Sequence, residues 1–226
     1  MTSESEGRDR SSGQSKFNRV EWLASVVVAV ALVGCAGPAL QQAQKKAQQN
    51  KAMQQAVGIG RALNVYASEE DGLYPTGDDA NRAFANLFPD MGRERPFYVS
   101  GSAWHGQPGS RFANGPDELF GDDDGGKPLE PGENHWAFNI LASDDSAADI
   151  PMIADGFSAR LGRYSSDPSE FGGVWGGRNA IVVFADRSAR IVPLNRQMQF
   201  INIKKNNRDE FNRHGVEMVN PAHPGT

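Results

Sequence analysis

Val20-Glu21-Trp22-Leu23-Ala24-Ser25-Val26-Val27-Val28-Ala29-Val30-Ala31-Leu32-Val33-Gly34-Cys35-Ala36-Gly37-Pro38-Ala39-Leu40 decides the fold, because after Glu21 its only ionisable side chain is the thiol of Cys35. From Trp22 to Leu40, at about 1.5 Å of rise per residue, a helix covers about 28 Å, one hydrocarbon core. Arg8, Arg10, Lys16 and Arg19 precede the run, and polar Gln41 and Gln42 follow it before Lys45. That asymmetry predicts a cytoplasmic N-terminus with the remainder on the far side of the membrane.

Working outward, residues Gln41 to Gln55 are rich in Ala, Gln and Lys, strong helix formers with little to bury, so the same helix continues as a shaft. From Ala52 the pattern changes: Ala52, Ala56, Ile59, Leu63 and Tyr66 recur at four- and three-residue steps, a stripe that needs a partner surface and is read as the core face of a head. Gly58 and Gly60 each cost a helix about 1 kcal/mol against Ala and would let a sheet come close. The chain thus divides into a leader (1–19), a membrane-spanning part (20–40), the far half of the same helix (41–68), an α+β head (69–193) and a polar C-terminal segment ending in a loose tail (194–226).

Phe17-Asn18-Arg19-Val20-Glu21-Trp22-Leu23 resembles the prepilin processing and methylation motif of type IV pilins and type II secretion pseudopilins, in which cleavage leaves an aromatic first residue and a glutamate in fifth place. Counting from Phe17, Glu21 is fifth and Pro38 is twenty-second, where these families carry a helix-kinking proline. Ala62-Leu63-Asn64-Val65-Tyr66 followed by Asp71-Gly72-Leu73-Tyr74-Pro75 is similar to their end-of-helix pattern. The likeness covers about sixty residues, with one departure: Lys16 stands before the cut where the pattern has glycine. The resemblance implies an α+β, pilin-like fold, a long N-terminal helix packed on a small antiparallel sheet. It also implies a non-enzymatic subunit of a short periplasmic filament in a type II secretion or type IV pilus-like machine. Its partners would be other pilin-like subunits, inner-membrane components of the machine and a prepilin peptidase acting between Lys16 and Phe17, with Glu21 serving assembly.

Cys35 supports a rival reading. Leu32-Val33-Gly34-Cys35 has the form of a lipobox, and a basic leader with a short apolar region is also how a lipoprotein signal peptide is built. Cleavage there would leave an acylated Cys35 anchoring a periplasmic-facing binding lipoprotein; a signal peptide, however, gives no reason for Pro38 or for the register of the following helix. With one cysteine in the chain no intrachain disulfide can form. A net charge of −5 carries no basic footprint for nucleic acid.

Beyond the helix, Thr76 and Asp79 have capping-box spacing before a short helix with Ala80, Phe84, Leu87 and Phe88 on its apolar face, stopped by Pro89. Pro96 to Val99 reads as a strand, Ser100 to Asp117 as a long loop in which Trp104 lies over the core, and Glu133 to Asn139 and Pro151 to Phe157 as further strands. Asn179 to Pro193 is a hairpin similar to those that end pseudopilin-like heads, with Arg187 in place of the usual glycine, which points to a turn longer than two residues. A short helix is expected between Gln197 and Phe211.

Candidate chemistry is sparse. Read as a calcium loop from Asp122, the acidic run fails at Gly126 and Lys127. A solvated turn is the plainer reading, and only the pseudopilin resemblance makes Asp122 and Asp124 candidate calcium ligands. The chain otherwise asks for no cofactor. His135 has no second ligand or Ser/Cys nucleophile at a recognisable spacing and reads as a hydrogen-bonded residue near the core. Gly172 to Gly177 lacks the Lys-Ser/Thr of a phosphate loop.

Overall fold

A computed structural model describes residues 19–91, 95–105, 129–202, 208–211 and 214–223, with side chains from Leu40 onward except those of Asp90, Ile201, Asn202 and Arg208. Helix α1 runs Arg19–Glu69 without interruption, through Pro38. Among the described residues no helix is long and apolar enough to cross a membrane, and the expected span, 20–40, falls almost wholly on residues whose side chains lie outside them. The chain divides into two units, Met1–Lys46 and Ala47–Thr226; the second holds the sheet and the core.

In that second unit the stripe on α1 is buried as its period requires: Ala52, Ala56, Ile59 and Leu63 lose nearly all contact with water, joined by Ala62 and Ala67, while Tyr66 is half-buried. The stripe meets strands β1 (Trp136–Asn139), β2 (Pro151–Asp155), β3 (Asn179–Phe184) and β4 (Ala189–Pro193). With β7 (Met218–Val219) these form one antiparallel sheet in the order β4-β3-β2-β1-β7. This is the α+β architecture expected, a long N-terminal helix with an antiparallel five-stranded sheet.

Both faces of the sheet are covered, so its strands read as almost unbroken apolar runs instead of alternating ones. Trp136, Phe138, Ile153, Ile181 and Val183 point toward α1 and toward α2 (Ala80–Ala85). Ala137, Ala154, Ala180, Val182 and Phe184 point the other way, onto Phe157, Tyr164 and Phe211. Met152 and Ile153 share the α1 side although adjacent, because the β2–β3 register shifts between Pro151 and Ile153; a bulge turns two consecutive residues to one face. The close approach at α1 is made at Gly60, where an added Cβ would lie 3.4 Å from Val183 Cγ1, whereas Gly58 faces open space.

Several local expectations are corrected. The N-cap of α2 is Asp79, whose side chain accepts from Arg82 N at 2.9 Å, and not Thr76. Pro89 does not stop a helix: it sits in the first turn of α3 (Phe88–Met91), where its missing N–H costs nothing. Arg95–Phe97 is a 3-10 turn in place of a strand, since Pro96 removes a ladder donor. Between Gln197 and Phe211 the described residues form the two-residue strands β5 (Ile201–Asn202) and β6 (Arg208–Asp209) and no helix. The tail is held as far as Ala222: Ala80 N donates to Asn220 O at 2.9 Å and Ala222 N to Asn81 Oδ1 at 3.0 Å. The β3–β4 turn is longer than two residues, as Arg187 implied. Arg187 N donates to Phe184 O, Phe184 N donates to Ser188 O, and Arg187 carries φ 67°, the pattern of a type I turn followed by a left-handed residue.

Candidate functional site

Three polar side chains meet where the ends of β1 and β2 adjoin the loop after the 3-10 turn. Pairing of Trp136 with Asp155 sets the register. Gly156 N donates to His135 O at 2.9 Å and His135 N to Phe97 O at 3.0 Å, which fixes the His135 backbone between β2 and that turn. The ring then reaches Asp155 Oδ1 through Nε2 at 2.8 Å and Ser102 Oγ through Nδ1 at 2.7 Å. Because a carboxylate oxygen only accepts, the proton belongs on Nε2, and Nδ1 accepts the Ser102 hydroxyl proton. The second carboxylate oxygen of Asp155 accepts from Trp175 Nε1 at 2.9 Å and from Ile181 N at 2.6 Å. One buried carboxylate thereby joins β1, β2, β3 and the Gly-rich loop that carries Trp175.

A second histidine extends the network. His105 Nε2 accepts from Val99 N at 3.1 Å and its Nδ1 donates to Gly132 O at 3.1 Å. Burial, and secondarily the neighbouring His135, lower its pKa to about 3 from an ordinary 6.5, against a smaller upward pull from Gly132, so the ring is neutral, as its accepting Nε2 requires. Tyr164, fully buried, donates its hydroxyl to Asp155 O at 3.2 Å, and burial followed by the Asp155 charge pushes its pKa well up. Trp104 packs on Phe171 with ring centroids 4.2 Å apart; among the described residues its Nε1 has no hydrogen-bond partner, and it abuts Gly156, where no Cβ would fit.

A serine, a histidine and an aspartate in line are the parts of a nucleophilic relay. Two features make this one a structural joint. The serine takes the ring nitrogen flanked by the side-chain attachment, and His135 is 0% exposed with Ser102 at 6%, so neither Oγ nor the ring presents an edge to a substrate or a leaving group. What the arrangement does chemically is satisfy a carboxylate removed from water, with three donors converging on it. Among the described residues no group of three or more His, Cys, Asp or Glu side chains could hold a metal ion.

Of the residues singled out in the sequence, Lys16 and Phe17 lie outside the described residues, as do Asp122 and Asp124. Glu21, Cys35 and Pro38 fall on the helical backbone of α1, with side chains outside the described set. His135 is the buried, hydrogen-bonded residue expected, but Ser102 and Asp155 as its partners were not foreseen, being 33 and 20 residues away. The available signal was Asp155 itself, a carboxylate ending the apolar run Met152-Ile153-Ala154.

No protein-family model, no curated protein and no solved structure matches the chain.

Proposed function

We propose that the chain is a structural, pseudopilin-like subunit, held in a bacterial inner membrane by the front of α1 and contributing its head to a short periplasmic filament. The observation that carries this reading is the two-part build of one uninterrupted helix. Residues 22–40 are apolar and of membrane-spanning length, and the same helix, α1, buries Ala52, Ala56, Ile59 and Leu63 in the core around an antiparallel sheet. Glu21 is the assembly residue of this proposal. A carboxylate drawn toward the bilayer centre costs about 2.5–3.5 kcal/mol unless paired, and in a filament the new amine of Phe17 on a neighbouring subunit would pair with it.

The test is Glu21→Ala in the full chain. The head stays folded and membrane-bound, since Glu21 lies far along the sequence from the core residues of α1, and co-assembly with other pilin-like subunits is lost. Undiminished crosslinking of the variant into filaments refutes the role. The mature N-terminus, measured by mass spectrometry, separates the alternatives: Phe17 supports processing as a pilin, whereas an acylated Cys35 establishes the lipoprotein and removes the span altogether.

A further inference from the structure

From Trp22 to Ser68 the chain has no Asp or Glu, and its charges there are Lys45, Lys46, Lys51 and Arg61, all positive. The three lysines are exposed on α1. At Glu69 the sign reverses. Glu69, Glu70 and Asp71 end the helix, and the bridge between Leu73 and Ser143 brings Asp144 and Asp145 alongside. Asp144 N donates to Gly72 O at 3.1 Å, and an added Cβ on Gly72 would collide with the Asp144 carboxylate. Leu73, in that bridge, and Leu141, two residues before Ser143, are two of the most exposed large apolar side chains described, at 64% and 55%. Arg187 also acts on Tyr74 in this region and offsets one of the charges.

We infer that the acid-rimmed Leu73–Leu141 surface docks the lysine-bearing stretch of α1, Lys45 to Lys51, of a second copy of this chain. This rests on the filament reading and names the contact within it. The complementarity is of sign and of form: a shaft free of carboxylates, with Ala47 between Lys46 and Lys51, meets exposed leucines flanked by carboxylates. Because the two surfaces differ, the contact is head to tail and leaves each copy with one free surface of each kind, the arrangement that propagates instead of closing as a dimer. Exposed charge pairs steer such a contact more than they strengthen it, with the apolar centre supplying the hold.

The experiment uses the full chain in membranes, with two differently tagged copies and a photo-crosslinking residue at Leu73. The expected result is a product between the two tags, mapped by mass spectrometry to the peptide carrying Lys45 to Lys51. Reversal of the shaft (Lys45→Glu, Lys46→Glu, Lys51→Glu) or of the rim (Glu70→Lys, Asp145→Lys) lowers its yield about tenfold, and combining the two sets restores it, as two exposed pairs acting together would. A Leu73 product that maps elsewhere, joins a different protein or is insensitive to both reversals overturns the inference. So does its absence while a crosslinker at Val27 still captures a second copy, a result that leaves the filament reading standing. Failure at both positions overturns both.

Discussion

Replacing Asp155 with Ala should be among the most damaging single changes in the head. The carboxylate is the acceptor for His135 Nε2, Trp175 Nε1 and Ile181 N, and the residue has no exposure to water. Each donor left unpaired costs about 1–3 kcal/mol. Three together come to about 3–9 kcal/mol, with the lower half favoured if water enters the vacated space. Against a domain stability of about 5–15 kcal/mol, a loss near 5 kcal/mol lowers Tm by about 10–20 °C for a unit of this size. Thermal unfolding of the full chain, followed by tryptophan fluorescence, reads this directly because Trp175 bonds the carboxylate and Trp136 neighbours His135. Ser102→Ala should be milder but still destabilising, by about 1–3 kcal/mol, since it strips a donor from His135 Nδ1 and an acceptor from Trp104 N. Catalytic residues commonly gain stability when removed, so the sign for Ser102 discriminates between a joint and a nucleophile. A Tm for Asp155→Ala within about 2 °C of the parent, or a more stable Ser102→Ala, refutes the structural assignment.

His105 is held neutral in the fold, with a pKa of about 3 against 6.5 when free; its stabilising contribution is complete above pH 6.5 and is lost as pH falls toward 3, by about 2 kcal/mol at pH 5. Chemical denaturation across that range should show the decline, and His105→Asn should flatten it. Gly60→Val inserts bulk where a Cβ already lies 3.4 Å from Val183 Cγ1 and should cost about 1–3 kcal/mol. Gly58→Ala, with nothing near its Cβ, should gain about 0.5–1 kcal/mol, and equal responses in denaturant titrations would contradict the packing. Arg187→Gly relieves a residue at φ 67° and should stabilise the β3–β4 turn by about 1 kcal/mol, seen as slower amide exchange at Phe184 and Ser188.

The helix and the hairpin were legible because both are local. The four- and three-residue recurrence from Ala52 to Leu63 identifies a buried face without knowledge of what covers it, and Asn179 to Pro193 folds on its nearest neighbours. Phe97 misled because apolar β-formers beside Pro96 look like a strand until the missing ladder donor is counted. Thr76 misled because Asp79 is at once the acidic member of its capping box and a better cap in its own right. The Ser102–His135–Asp155 joint was illegible for a different reason. Its members are brought together only by the pairing of Trp136 with Asp155 and by the turn at Phe97, neither of which follows from spacing. The same holds for Met218, whose place beside Asn139 depends on a sheet assembled from distant segments.

That last strand has a consequence for the order of events in synthesis. β7 lies against β1, Asn220 bonds Phe157 and Ser158, and Asn81 is capped by Ala222, so the rim of the sheet beside β1 stays open until residues 218–222 have emerged from the ribosome or pore. A nascent chain stalled before Met218 carries β1 with an unpaired edge, an adhesive surface for other unfinished chains. Residues 218–222 thus act as a clasp on the head, and a chain lacking them exposes more than it loses.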